Sequence, residues 1–165
     1  MALTRKQPEG PEQWTGRAVD AERALLASAW LSHDAEILKR LHENDFTGDF
    51  ERWMFKKLLA VVASGLPLDM VAVWRLVRAK GGLEGLPAWA EDQLASHVAE
   101  LLRDCPTTAH KEYYFTVLRT ERLRRASLAL FDKATRKLAG GEEPEAVLEW
   151  AQTSVRQLTA KSRVG

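Results

Sequence analysis

The sequence predicts an all-α protein, and three observations carry that prediction. Apolar residues recur at spacings of three and four along most of the chain, as they do on the buried side of a helix. Capping residues such as Asp20 and Asp69, and stop signals such as Gly65 and Gly140-Gly141, divide the chain at helical lengths. No segment alternates apolar and polar residues over the length of a strand. We therefore expect a compact helical head of about five helices, followed by a projecting antiparallel helical hairpin.

The elements of the head follow from caps and apolar patterns, taken in chain order. We predict a flexible tail at 1–17, because Pro, Gly, Gln and charged residues dominate there. The head then occupies 18–105. Five helices are predicted in it, at about 21–32, 35–42, 49–64, 70–80 and 87–103. Asp20 and Asp69 are the predicted N-caps of the first and fourth, and Trp89 and Leu94 are predicted to be buried in the fifth.

One long helix dominates the predicted hairpin at 106–160, which leaves a short C-terminal tail at 161–165. Pro106 forces a break, Thr107 or Thr108 can cap, and no Gly or Pro follows until Gly140. That is about 30 helical residues, or about 45 Å. A domain of about a hundred residues is only about 35 Å across, so the helix should extend past the head.

The long helix is apolar over too wide an arc for one neighbour. At 100° per residue its apolar and small residues fill about 200°, whereas one neighbour needs about 100–140°. These residues are Leu123, Ala126, Ser127, Leu128, Leu130, Phe131, Ala134, Thr135 and Leu138. Pro144 after the Gly-Gly turn predicts a returning helix at about 144–159. Its predicted inward stripe is Val147, Leu148, Ala151, Val155 and Leu158. The returning helix can cover one seam of the long helix, and the second seam is left for a partner.

Positive and negative residues nearly cancel over the whole chain, but they are concentrated in different segments. The formal charge of +1 excludes a globally basic nucleic-acid binder. Residues 119–137 hold seven Lys or Arg against two acids, and residues 142–149 hold four Glu. Either the two arms attract each other, by about a few tenths of a kcal/mol per exposed pair, or the basic face binds DNA or an acidic partner. The candidate nucleic-acid contacts are Arg119, Arg122, Arg125, Lys133 and Arg136.

The sequence carries no catalytic constellation. Cys105 is the single cysteine, which excludes a disulfide framework. The N-terminus lacks the apolar core of a signal peptide, and no apolar run is long enough for a bilayer span. We expect a soluble cytoplasmic protein without a membrane partner. The four histidines never pair at i,i+4, so no metal is predicted, and no Gly is followed by Lys, which excludes a P-loop. We therefore predict no enzymatic activity and no cofactor for this chain.

Several short motifs occur in a fixed order along the chain. They are Asp20-Ala-Glu22 with Leu25-Leu26, Asp45-Phe46, Arg52-Trp-Met-Phe55, Gly65-Leu-Pro-Leu-Asp69, Lys80-Gly-Gly-Leu-Glu84, and Pro106-Thr-Thr-Ala109 with Tyr113-Tyr114. Together they resemble the N-terminal domain of DnaB-type replicative DNA helicases, from about Val19 to Leu158. Two departures are Ala27, where the family usually has Gly, and Glu51, where it has His.

The resemblance implies a collar domain. In such helicases the N-terminal domains pair through their hairpins and form a trimer of dimers on the ATPase ring. The collar binds the C-terminal domain of primase and is a target of helicase loaders. The resemblance also implies that Leu128 and Ala134 lie on the partner-contact face and that His97 lies near it.

Helical spacing extends the Leu128 line to Phe131, Thr135 and Leu138, and we name these four residues the outer seam. Trp150 is either an interface anchor or packs on Arg124 or Leu138. Both Arg124 and Trp150 are included in the predicted partner interface.

Two alternatives stay open. One is a helical module that binds the DNA backbone, although the resemblance implies only weak or indirect DNA contact. The other is a stand-alone regulator that has the collar domain without a motor. We favour an N-terminal fragment over such a regulator, because Glu149-Trp-Ala-Gln resembles the entrance to the segment that leads to a motor domain.

Overall fold

The computed structural model describes residues 11–105 and 107–163, and of residues 11–18 it describes the backbone alone. Every regular element in these ranges is helical, which confirms the predicted all-α class. The elements are α1 (Pro11–Leu31), α2 (Ala35–Lys39), a 3-10 turn (Glu43–Asp45), α3 (Asp49–Ala63), α4 (Met70–Arg78), α5 (Ala88–Glu91), α6 (Leu94–Arg103), α7 (Lys111–Ala139) and α8 (Pro144–Arg163). The chain divides into two compact units, Met1–Leu118 and Arg119–Gly165.

The core of the first unit lies between α1, α3 and α6, with α2 and α4 packed on α3. These helices contribute fully buried side chains at the predicted 3–4 spacing, and each buried Leu stabilises the fold by about 2 kcal/mol. Phe46 is buried, follows the 3-10 turn and stacks on Phe55 with a centroid separation of 4.8 Å. The loop before α3 is thereby fixed to the body of the unit.

A buried carboxylate holds that same loop. Glu22 of α1 is buried, and its carboxylate accepts hydrogen bonds from the backbone N–H of Thr47, the Thr47 hydroxyl (2.8 Å) and the Gly48 N–H (3.1 Å). Burial raises the pKa of Glu22, and these hydrogen bonds only partly oppose that rise. Arg23 pairs with Glu51 beside it, at 3.2 Å. Glu51, one of the departures from the family pattern, therefore has a charged partner.

The predicted start of the first helix is wrong. α1 begins at Pro11 and not at 21, so Asp20 lies inside the helix and is not its N-cap. Pro at a first helical position needs no hydrogen-bonded N–H, which suits the observed start. Helix therefore replaces the predicted tail from residue 11 onward, and residues 1–10 lie outside the described residues.

The predicted fifth helix is two helices. α5 and α6 are separated at Asp92-Gln93, and Ala90 and Leu94, on either side of the break, are both buried in the core. Trp89, predicted to be buried, is exposed. Its ring lies instead on the surface against His97, at a centroid distance of 5.0 Å.

The second unit begins within α7, whose 29 residues match the predicted length. Gly141, at φ +88°, ends the helix in the left-handed conformation that Gly adopts without steric cost. The N–H of Glu142 then donates to the carbonyl of Lys137 at 3.1 Å, which closes the last turn. α8 begins at Pro144, as predicted, but it runs to Arg163, so helix extends past the predicted end at about 159 and into the predicted C-terminal tail.

Candidate partner interface

α7 and α8 pack side by side in the second unit and bury few large side chains between them. Leu130 of α7 and Val147 of α8 are buried, and Ala134, Ala151 and Leu158 are half-buried. Near the far end of the pair, the Arg119 guanidinium donates to the backbone carbonyl of Lys161 at 3.3 Å. The side of α7 that carries Leu130 packs against α8, and we name this side the covered seam.

The outer seam is exposed. Leu128 is 64%, Phe131 58% and Leu138 45% exposed. At 100° per residue the outer seam spans about 80° of α7, and Leu128 lies about 160° from Leu130. The Thr135 hydroxyl donates to the Phe131 carbonyl at 2.9 Å, so it is satisfied within the helix. An apolar stripe of this size on one helix is typical of a contact surface.

The structure corrects the predicted inward stripe of α8. Leu148 and Val155, expected to cover α7, are 63% and 42% exposed. They lie about 80–100° around α8 from Val147, whereas Trp150 lies about 60° to the other side. Trp150 lines a groove together with Ala129 and Lys133 of α7. The opposite flank of α8, with Leu148 and Val155, therefore faces the side of α7 that carries Ala134 and Leu138.

Trp150 packs on lysines. Its ring centroid lies 5.4 Å from the Lys133 ammonium nitrogen and 5.1 Å from that of Lys137. The Trp150 ring lies on the flank of α8 away from the outer seam. It therefore packs on these lysines and not on Arg124 or Leu138, the two partners that the sequence suggested. Arg124 is exposed, pairs with Glu121 at 3.4 Å, and lies among the outer-seam residues by helical angle.

The candidate nucleic-acid contacts share one side of α7 but already have partners. By helical angle the five lie within an arc of about 120°, away from the outer seam. Arg136 pairs with Asp132 at 3.0 Å, and Lys133 lies over Trp150. Arg119 bonds to the backbone of α8, and Arg122 and Arg125 also have interactions. The basic face is therefore partly used to hold the helical pair.

His97 belongs to the first unit. It is half-buried on α6, where its ring lies 5.0 Å from that of Trp89 and 5.9 Å from that of Phe50. The sequence pattern did not predict this cluster, because Trp89 was assigned to the core. An exposed Trp beside His97 was detectable only once the break between α5 and α6 was known.

The described residues carry no group of three His, Cys, Asp or Glu that could hold a metal ion. Cys105 is half-buried, with its sulfur 3.4 Å from the Ser28 hydroxyl. Within the same described ranges, no helix is long and apolar enough to cross a membrane.

The family model of the DnaB-like helicase N-terminal domain matches residues 16–120 of the sequence. The chain belongs to this family. The matched region contains the whole head and the first third of α7, and it ends close to the start of the second unit. Most of the outer-seam helix and all of α8 thus lie beyond the matched residues.

Two similar proteins carry the DnaB name. The replicative DNA helicase DnaB of Buchnera aphidicola subsp. Baizongia pistaciae is 24% identical over 118 residues, which cover 70% of this chain. The chain spans about a quarter of that helicase, since the match covers 24% of its length. The crystal structure of the N-terminal domain of DnaB helicase from Mycobacterium tuberculosis superposes with a TM-score of 0.67 at 23% identity, covering 84% of this chain and 95% of that one. The DnaB N-terminal fold therefore extends over most of the chain.

Proposed function

We propose that this chain is the oligomerisation and partner-binding collar domain of a hexameric replicative DNA helicase. In this proposal the outer seam of one copy packs against a second copy, and three such pairs form the collar. The primase C-terminal domain docks on the same collar, and a helicase loader is a further partner. The ATPase motor of the parent helicase does the chemical work, and this domain supplies contacts only.

The exposure of Leu128, Phe131 and Leu138 is the observation that carries the proposal. These three large side chains lie within about 80° of one another around α7, and Leu128 lies on the side opposite the buried Leu130. Full burial of a side chain of this size stabilises a protein by about 1.5–3 kcal/mol, and packing against a second copy would provide that burial. Family membership supports the same conclusion, because it attaches this domain to a replicative helicase.

Aspartate substitutions in the outer seam test the proposal. Leu128→Asp and Phe131→Asp each place a charge where the partner helix would pack, so both should shift sedimentation towards the monomer. Both should also weaken capture by the primase C-terminal domain in a pull-down. Variants that behave as wild type in both assays would reject the proposal.

Ala129→Asp is the matched control. Ala129 is exposed on α7 but lies about 100° from Leu128, on the groove side, so the same charge there should leave sedimentation and capture unchanged. Circular dichroism of all three variants should show the same helix content. A loss of association that Ala129→Asp shares would indicate a general effect of charge and not an outer-seam contact.

A further inference from the structure

α4 presents an apolar face on the surface of the first unit. Val71 is 68% exposed, Met70 is also exposed, and Trp74 is half-buried beside them. With Arg75, Arg78 and Ala79 they line a groove of about 490 Å³, which we name the α4 groove. α4 packs on the core through Ala72, Val73 and Val77 and through part of Trp74, and it leaves Met70 and Val71 exposed.

The rim of the α4 groove is positively charged. Arg75 and Arg78 are exposed, and neither forms an ion pair with any described residue. Arg78 lies over the Trp74 ring, with its guanidinium carbon 5.8 Å from the centroid. Asp69, at the start of the helix, uses its carboxylate to accept the Ala72 N–H at 2.8 Å. An apolar groove with a cationic rim fits an amphipathic helix that places carboxylates beside an apolar side chain.

This chain carries such a helix face itself. Leu148 of α8 is exposed, and Glu145 and Glu149 lie within about 100° of it around the helix. Neither glutamate forms an ion pair with a residue in the described ranges. We name these three residues the acidic face of α8.

We propose that the α4 groove of one copy receives the acidic face of α8 from a second copy. Leu148 would enter the groove beside Val71 and Trp74, and the two glutamates would meet the two arginines. The spacings agree, since Glu145 and Glu149 are about 6 Å apart along their helix axis and Arg75 and Arg78 about 4.5 Å. The contact joins two different surfaces, so it can extend an assembly beyond one pair. This proposal rests on the proposed self-assembly but uses none of the outer-seam residues.

Charge reversal on the full chain tests it. Arg75→Glu/Arg78→Glu and Glu145→Arg/Glu149→Arg should each weaken association beyond the dimer by about tenfold or more in sedimentation at low salt. An equal mixture of the two reversed proteins should restore it, because each then offers the surface that the other needs. Added salt should weaken the wild-type contact, since the charges are exposed.

Two control pairs carry the same charge changes elsewhere on the first unit. Lys39→Glu/Arg103→Glu and Glu36→Arg/Glu100→Arg alter exposed residues outside the groove and should sediment as wild type. The proposal is overturned if the wild type forms nothing larger than a dimer, if the reversed variants associate as wild type does, or if the mixture stays dissociated. If the α4 groove variants fail these tests but Leu128→Asp loses dimer formation, the α4 groove proposal is rejected and the outer-seam proposal stands.

Discussion

The ammonium nitrogen of Lys137 lies 5.1 Å from the centre of the Trp150 ring, so a cation of α7 covers the largest side chain of α8. Lys133 reaches the same ring from one turn earlier. The basic and acidic arms of the sequence are therefore joined through a cation–π contact as well as through the Lys137–Glu142 ion pair at 3.1 Å. This contact occupies one side of the helical pair and leaves the outer seam unobstructed.

Trp150→Ala should weaken the packing of α8 on α7. The substitution removes a half-buried indole and two cation–π contacts, which together contribute about 1–3 kcal/mol. Urea denaturation followed by circular dichroism should show an earlier loss of helix. Trp150→Phe keeps a ring under both lysines and should recover most of the loss. A Trp150→Ala protein with wild-type stability would show that α8 is held by other contacts.

Glu22 should make the first unit less stable as pH rises. Its folded pKa lies above its unfolded value of 4.5, mainly because the carboxylate is buried. The folded state therefore binds more protons between those two values, and stability falls as pH rises from 4.5 through the folded pKa.

Glu22→Gln tests this pH dependence because it keeps the shape of the side chain and removes its titration. Denaturation midpoints measured across that pH window should decline less in the variant than in the wild type. Equal slopes for the two proteins would contradict the assignment to Glu22.

The Asp34–Lys111 pair should contribute in the opposite sense. The Lys111 ammonium donates to Asp34 at 2.9 Å and holds the pKa of that carboxyl below its ordinary value of 3.8. Its stabilisation is present above 3.8 and is lost as pH falls through the lower folded value. Both side chains are partly exposed, so the pair is worth about 0.5 kcal/mol after screening.

Two substitutions separate the ion pair of Asp34 from its cap. Asp34 also caps α2 by accepting the Ile37 N–H at 3.1 Å, which Asn can still do. Asp34→Asn should therefore lose only the ion pair at neutral pH, and Asp34→Ala should lose about 1 kcal/mol more. Denaturation curves at pH 7 compare the three proteins, and identical losses in both variants would mean that the cap contributes nothing.

DNA binding by this chain should be weak and only slightly dependent on salt. Five phosphate contacts from the candidate basic residues would give a log–log slope of about 4.5, at about 0.9 each. Arg136, Lys133 and Arg119 have partners within the helical pair, so we expect a much smaller slope. Fluorescence anisotropy with single-stranded and duplex DNA at several salt concentrations measures it. A slope near 4.5 would favour the DNA-binding alternative.

Local sequence patterns predicted most of the fold. The two seams of α7 followed from a 3.6-residue period, which depends on residues close in sequence. The position of Leu148 was not predictable in this way, because Val147 and Leu148 are adjacent and both fit an apolar stripe. The break at Asp92-Gln93 carries no Gly or Pro, and Glu22 meets Thr47 from 25 residues away. Such features depend on tertiary packing, which a single sequence does not display.

Cross-linking at the outer seam tests the central claim most directly. With Cys105→Ser as background, Phe131→Cys and Ala129→Cys place single thiols on opposite flanks of Leu128, both exposed. A short bismaleimide should convert the Phe131→Cys protein into covalent dimers on a denaturing gel and leave the Ala129→Cys protein largely monomeric. Equal dimer yields from the two positions, or no dimer from Phe131→Cys, would contradict an outer seam that contacts a second copy.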